Sequence, residues 1–153
     1  MSAEKPRVAL PPPILYAVAI GLGLWLERPL PWPLPGGALR FWVGLMVVAL
    51  AAGLFALCLR ELRRHQTTLN PHKGASSLVS SGPFRFSRNP IYVSLTALQL
   101  GIGFLASSTW VLVMLLWVLP LLQRFVIERE EEHLHDRFGQ EYIDYCARVR
   151  RWL

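Results

Sequence analysis

Residues 38–59 read ALRFWVGLMVVALAAGLFALCL. As a helix rising 1.5 Å per residue this stretch covers about 33 Å, enough to cross the hydrocarbon core of a bilayer. Its only charge, Arg40, lies close enough to one end to snorkel toward the headgroups. Gly44 and Gly53, with Ala49, Ala51, Ala52 and Ala56, form small-residue surfaces that let another helix approach closely. Three further apolar runs lie outside it, at about 12–26, 91–107 and 109–127. The pattern predicts an all-α, polytopic membrane helix bundle of about four transmembrane helices. Pro11 to Pro13 suit the entry of the first, and the proline-rich stretch from Glu27 to Gly37 is a turn that places Trp32 at an interface. Ala106, Ser107 and Ser108 make a tight turn, so the last two spans form an antiparallel hairpin, with Pro120 as a kink.

The chain has 153 residues, 53% of them hydrophobic and 17% charged, where a soluble domain has nearer a quarter charged. One integral-membrane domain over 1–153 is expected. The formal net charge is +6. The basic residues gather in the segment from Arg60 to Asn89, with Arg60, Arg63, Arg64, Lys73, Arg85 and Arg88 against the single acid Glu61. The positive-inside effect accounts for this better than nucleic-acid binding, and no nucleic-acid partner is expected. It puts that segment in the cytoplasm, and with four spans both termini lie there too. Pro11 to Pro13 interrupt any signal-peptide pattern. Cys58 and Cys146 are expected to stay unpaired.

Beyond the fourth run, Glu128 to Phe138 is expected to carry the helix out of the bilayer, with Gly139 as its C-cap. Tyr142, Tyr145, Cys146 and Val149 then follow the spacing of an amphipathic C-terminal helix on the cytosolic side. Arg148, Arg150, Arg151 and Trp152 would suit an anionic lipid surface. Metal binding is not expected: His133 and His135 point to different helix faces, and a proline turn separates His65 from His72.

Two constellations carry chemistry. The first is Ser81 to Tyr92, SGPFRFSRNPIY, whose Gly82-Pro83 and Asn89-Pro90 restrict the backbone more than a plain electrostatic anchor requires. The second is the acidic cluster Glu128, Glu130, Glu131 and Glu132. The hairpin brings the bases of the third and fourth runs together, so Arg85, Arg88 and Tyr92 are expected near Glu128 to Glu131. Those carboxylates either pair with arginine or hold a cationic or hydroxyl-bearing ligand.

These residues also carry a family resemblance. Ser76 to Tyr92 resembles the signature of the isoprenylcysteine carboxyl methyltransferase and phospholipid methyltransferase superfamily, roughly L-V-x-x-G-x-Y-x-x-x-R, then H or N, then P-x-Y. Glu130, Glu131, Leu134, Phe138, Gly139, Tyr142 and Tyr145 resemble its second block. The match covers about residues 66–153 and is of the bacterial type. The resemblance implies an integral-membrane methyltransferase that uses S-adenosyl-L-methionine (SAM), in a bacterial inner membrane, acting on a lipophilic small-molecule or lipidated acceptor. It implies cofactor segments at about 66–92 and 124–146. Carried over by position, the cofactor contacts are Ser76, Ser77, Leu78, Val79, Phe84, Asn89, Pro90, Ile91 and Tyr92, with Glu130 as the binding carboxylate and Glu131 the alternative by a one-residue slip. Arg85, Arg88 and Asn89 are candidate catalytic residues: either arginine would pair with the cofactor carboxylate or a lipid phosphate. Phe84, Phe86 or Tyr92 would face the sulfonium through cation–π contact. Arg124 and Arg129 are the candidate substrate residues, near Val126, where the eukaryotic enzymes carry a substrate-binding arginine. The upstream residues Gln66, Thr68 and Asn70 would face the adenosyl group or the acceptor. Asn89 stands where the isoprenylcysteine enzymes have histidine, Phe84 where a tyrosine is usual, and Ser94 where a small glycine is common. Two other readings of the same fold are a scaffold that has lost catalysis and a nicotinamide-dependent enzyme like the sterol reductases.

Overall fold

A computed structural model describes residues 11–65 and 78–153. Its regular structure is helical throughout, apart from a single bridge between Pro33 and Ser108 among the described residues. Helix α1 runs from Pro12 to Leu26, opening on a proline that has no N–H to leave unsatisfied. Helix α2 spans Gly37–Arg64 and continues five residues beyond the apolar run, into the basic stretch. Helix α3, Pro90–Ala106, again starts on proline and ends at Ser107, whose φ of 55° turns the chain back. Ser108 then accepts a hydrogen bond from the Val111 amide and starts the next helix.

That last helix is a near-continuous rod over Thr109–Phe138. It comprises α4 (Thr109–Val113), α5 (Leu115–Leu122), a π-turn at Gln123–Ile127 and α6 (Glu128–Phe138). The break at Met114 and the π-turn flank Pro120, which lacks the N–H a regular ladder needs. At Gly139 (φ 50°) the chain turns into α7, Gln140–Arg148.

Close backbone contact joins α2 to α3. A Cβ on Gly44 would meet Phe104 Cβ at 2.9 Å, and one on Gly101 would meet Val48 Cγ2 at 2.6 Å. Gly53 has nothing within 4 Å, and it lies exposed with Ala52 and Ala56, so of the expected small-residue surface Gly44 and Ala51 are the buried members. Arg40 does not snorkel either. Its guanidinium donates to the carbonyls of Phe104 and Leu105, capping α3 where helical carbonyls lack partners. At the same end Glu27 accepts from the Trp32 amide (2.6 Å) and the Ser108 hydroxyl (2.7 Å), while Trp32 packs edge-on against Trp110.

The α2 rod and the Thr109–Phe138 rod are long and apolar enough to cross a membrane, and only 17% and 33% of their most apolar windows is buried by protein. An apolar helix left so uncovered needs an apolar solvent, which distinguishes it from a core helix of a water-soluble protein. Trp25, Trp42, Leu50, Leu116 and Trp117 are among the exposed side chains. Helices α1 and α3 have 15 and 17 residues. They fall short of the roughly 20 that a span of typical thickness takes.

Candidate active site

Two neighbouring glutamates on α6 have different partners. Glu131 is an ion-pair hub: Arg151 reaches it through Nε at 3.0 Å and Nη2 at 2.8 Å, and Arg88 Nη1 approaches to 3.2 Å. Glu130 has a neutral partner. The Tyr92 hydroxyl donates to its two oxygens at 2.8 and 2.9 Å, and no lysine or arginine among the described residues forms an ion pair with it. Helix register explains the split, because consecutive residues point about 100° apart. Glu130 turns toward α3, and Glu131 toward the loop before it.

Tyr92 is itself held from behind. The Tyr16 hydroxyl contacts Thr96 Oγ1 at 2.8 Å and the Tyr92 carbonyl at 3.4 Å, so α1 steadies the first turn of α3. Tyr16, Tyr92, Leu122, Val126 and Ile127 share one buried cluster.

The loop ahead of α3 is stitched to the C-terminal strip. The Arg88 amide donates to the Arg150 carbonyl (2.9 Å), and Asn89 Nδ2 to the Arg151 carbonyl (3.0 Å). Ser87 Oγ accepts from the Asn89 amide, forming a local turn. The short 3₁₀ turn Gly82–Arg85 buries Phe84 against Cys58, Leu62 and Val79. The buried Tyr145 hydroxyl donates to the Phe84 carbonyl at 2.6 Å, and burial pushes that phenol up to about 12, so it stays a protonated donor. Beneath the turn, Ser81 Oγ bridges the buried Glu61 carboxylate and His65 Nε2.

A groove of about 1050 Å³ opens between α3 and the α5/π-turn segment. Val93, Thr96, Leu100, Leu119 and Pro120 form its apolar depth, and Arg124, Glu128 and Trp152 its rim. Arg124 Nη1 and Glu128 Oε2 are 3.5 Å apart there.

The phospholipid methyltransferase family pattern matches residues 39–141. The chain belongs to the phospholipid methyltransferase family. An uncharacterized protein of Haemophilus influenzae is 39% identical over 54 residues, which is 32% of this chain and 86% of that protein. No solved structure matches. The phospholipid methyltransferase match runs from the start of α2 to the start of α7. It therefore contains Tyr92, Glu130, Glu131, Arg88 and the groove walls apart from Trp152 and Leu153.

Within this member of the family, the residues singled out from sequence fall into three groups. Tyr92, Glu130, Glu131, Arg88 and Asn89 come together with Pro90 and Ile91 at the start of α3, and Val79 and Phe84 pack behind them with Leu78 nearby. Arg85 does not join them: it is exposed and lies over the Phe86 ring, 5.1 Å from its centre. Arg124 faces the groove rim, and Arg129 sits in the first turn of α6. Ser76, Ser77, Gln66, Thr68 and Asn70 lie outside the described residues. Arg151 and Trp152 are not arranged as a lipid-facing anchor: Arg151 is bound to Glu131, and Trp152 packs on the buried cluster beside the groove. Tyr16 and the backbone carbonyls of Arg150 and Arg151 escaped sequence reasoning, and Ser81 stood out in sequence only as the start of the basic stretch, without its bonds to Glu61 and His65. These roles depend on contacts across 16 to 80 residues of chain.

Proposed function

We propose that the chain transfers a methyl group from SAM to a lipophilic acceptor at the cytosolic face of a bacterial inner membrane. In this reading all four apolar runs insert, both termini are cytoplasmic, and the shorter α1 and α3 are accommodated by tilt or local thinning. The observation that carries it is the Tyr92–Glu130 pair: a carboxylate, turned inward, whose partner among the described residues is a neutral phenol. A carboxylate removed from water is stabilised by positive charge or further donors. The ammonium and ribose hydroxyls of the methyl donor supply both. Glu131, already neutralised by Arg88 and Arg151, is the clasp that keeps the loop ahead of α3 and the C-terminal strip on α6.

SAM brings an activated sulfonium methyl, so the protein's task is to position and desolvate the reactants. Glu130 holds the donor's cationic end through its acceptor-only oxygens. Tyr92 fixes the orientation of that carboxylate, and Tyr16 fixes Tyr92. Asn89 acts through the Arg151 carbonyl, keeping the strip in place, which is a positioning role. The groove gives an apolar acceptor a sideways path from the bilayer, with Val93 one residue from Tyr92 and the Arg124–Glu128 pair at the rim to meet a polar head.

The test is methyl transfer by the full chain in detergent, using donor labelled in the methyl group and total membrane lipid extract. Label is expected in the organic phase and is expected to be lost in Tyr92→Ala. An absence of label from every extractable fraction, with donor binding intact, would overturn the reading.

A further inference from the structure

The exit of α2 carries a second surface with chemistry of its own. Ala56, Leu59, Arg60, Arg63 and Arg64 line a groove of about 440 Å³. Their spacing puts them on one face of the helix. The opposite face of the same turns is buried, through Cys58, Glu61 and Leu62. The groove therefore looks away from the protein, onto the side where Gly53 has open space around it. A helix of 28 residues is about 42 Å long, against about 30 Å of hydrocarbon. Its last two turns stand at headgroup depth, with the small residues just below them in the acyl region.

The arginines there are available. Arg60 and Arg63 form no ion pair with a described residue, and Arg64 meets Glu61 only at 3.7 Å with its side chain 68% exposed. Guanidinium groups bind phosphate oxygens through paired hydrogen bonds. A zwitterionic lipid brings its own ammonium into the same space and gains less from three adjacent cations than a lipid with net negative charge.

We infer that this face of α2 is a binding site for an anionic phospholipid. Arg60, Arg63 and Arg64 hold the phosphodiester, and one acyl chain lies along Leu59, Ala56 and Gly53. The site is separate from the Tyr92–Glu130 pair, so the methyl-transfer reading can fail without it.

Native mass spectrometry of the full chain, released from detergent with equimolar phosphatidylglycerol and phosphatidylcholine, tests it. Each guanidinium near a lipid surface contributes about fivefold to anionic lipid affinity. Phosphatidylglycerol adducts should therefore predominate, and Arg60→Gln with Arg63→Gln should lower that preference by about 20- to 30-fold. Gly53→Leu, which fills the acyl path and leaves the charges alone, should weaken retention of both lipids. Equal retention of the two lipids by the wild type would overturn the inference. So would a preference that survives the double substitution in a normally melting protein, displacement by free glycerol phosphate at lipid concentrations, or a protein dimer covering this face.

Discussion

Replacing Glu130 and Glu131 by glutamine, one at a time, should give two different phenotypes from adjacent positions. Glu131 receives two bonds from Arg151, at 3.0 and 2.8 Å, and one contact from Arg88 at 3.2 Å. Hydrogen bonds to charged groups contribute about 1.5–3 kcal/mol each when sheltered. Arg88 and Glu131 side chains are both 17% exposed, so that pair sits near the lower end of the range, about 1.5–2 kcal/mol. Arg151 is 36% exposed, and solvent screening reduces its share to about 0.5–1 kcal/mol. Glu131→Gln should then cost roughly 2–3 kcal/mol, which lowers the unfolding temperature by about 4–12 °C for a chain of this size.

Glu130→Gln keeps an acceptor for the Tyr92 hydroxyl and removes a half-buried carboxylate that forms no ion pair with a lysine or arginine among the described residues. Stability should change by less than about 1 kcal/mol in either direction. Donor binding should suffer instead: losing one charge-assisted contact of about 1.5–3 kcal/mol weakens SAM affinity by about 10- to 150-fold. Calorimetric titration with SAM and thermal unfolding in the same detergent read both quantities. If Glu131→Gln melts within about 1 °C of wild type, the clasp does not hold the loop and the C-terminal strip on α6. If it abolishes binding in a folded protein while Glu130→Gln binds normally, the two roles are reversed.

Three further outcomes are expected. Gly101→Ala places a methyl 2.6 Å from Val48 Cγ2 and 3.0 Å from the Val48 amide, so α2 and α3 must part; a loss of about 1–3 kcal/mol is expected by thermal unfolding, with Gly53→Ala as a neutral control. Wild-type melting of Gly101→Ala would contradict the close crossing. Tyr145→Phe leaves the Phe84 carbonyl without its 2.6 Å donor, at a cost of about 1–3 kcal/mol. Because burial raises this phenol from 10.0 to about 12, the gap to wild type should be constant below pH 10 and shrink between pH 10 and 12, where the unfolded phenol ionises and the folded one does not; a gap that widens there refutes the assignment. Asn89→Asp sets an oxygen against the Arg151 carbonyl in place of a donor 3.0 Å away, so the C-terminal strip should be cleaved faster in limited proteolysis than in Asn89→Ala. The reverse order would show that the strip does not depend on this bond.

Much of the helical layout could be read without coordinates, because apolar runs bounded by proline, glycine and charge leave few alternatives. The runs at 12–26 and 91–107 lie within one residue of α1 and α3. The end of α2 was harder, since nothing local stops a helix at Leu59 when Arg60 to Arg64 are good helix formers. Arg40 and Arg151 were misread for a related reason. An arginine looks the same in the chain whether it reaches lipid, a helix terminus as Arg40 does or a carboxylate as Arg151 does, and the choice depends on what stands opposite.

The sequence alone determined the membrane-like character of the helices, the basic segment between α2 and α3, the acidic cluster on α6 and the family to which the chain belongs. These follow from composition and local order, which do not depend on packing. Only the tertiary structure separated Glu130 from Glu131, because one step along a helix turns a side chain by about 100° and exchanges its partner. It also showed that the C-terminal strip is bonded to the loop ahead of α3, since hydrogen bonds between residues some sixty positions apart leave no local trace in the chain.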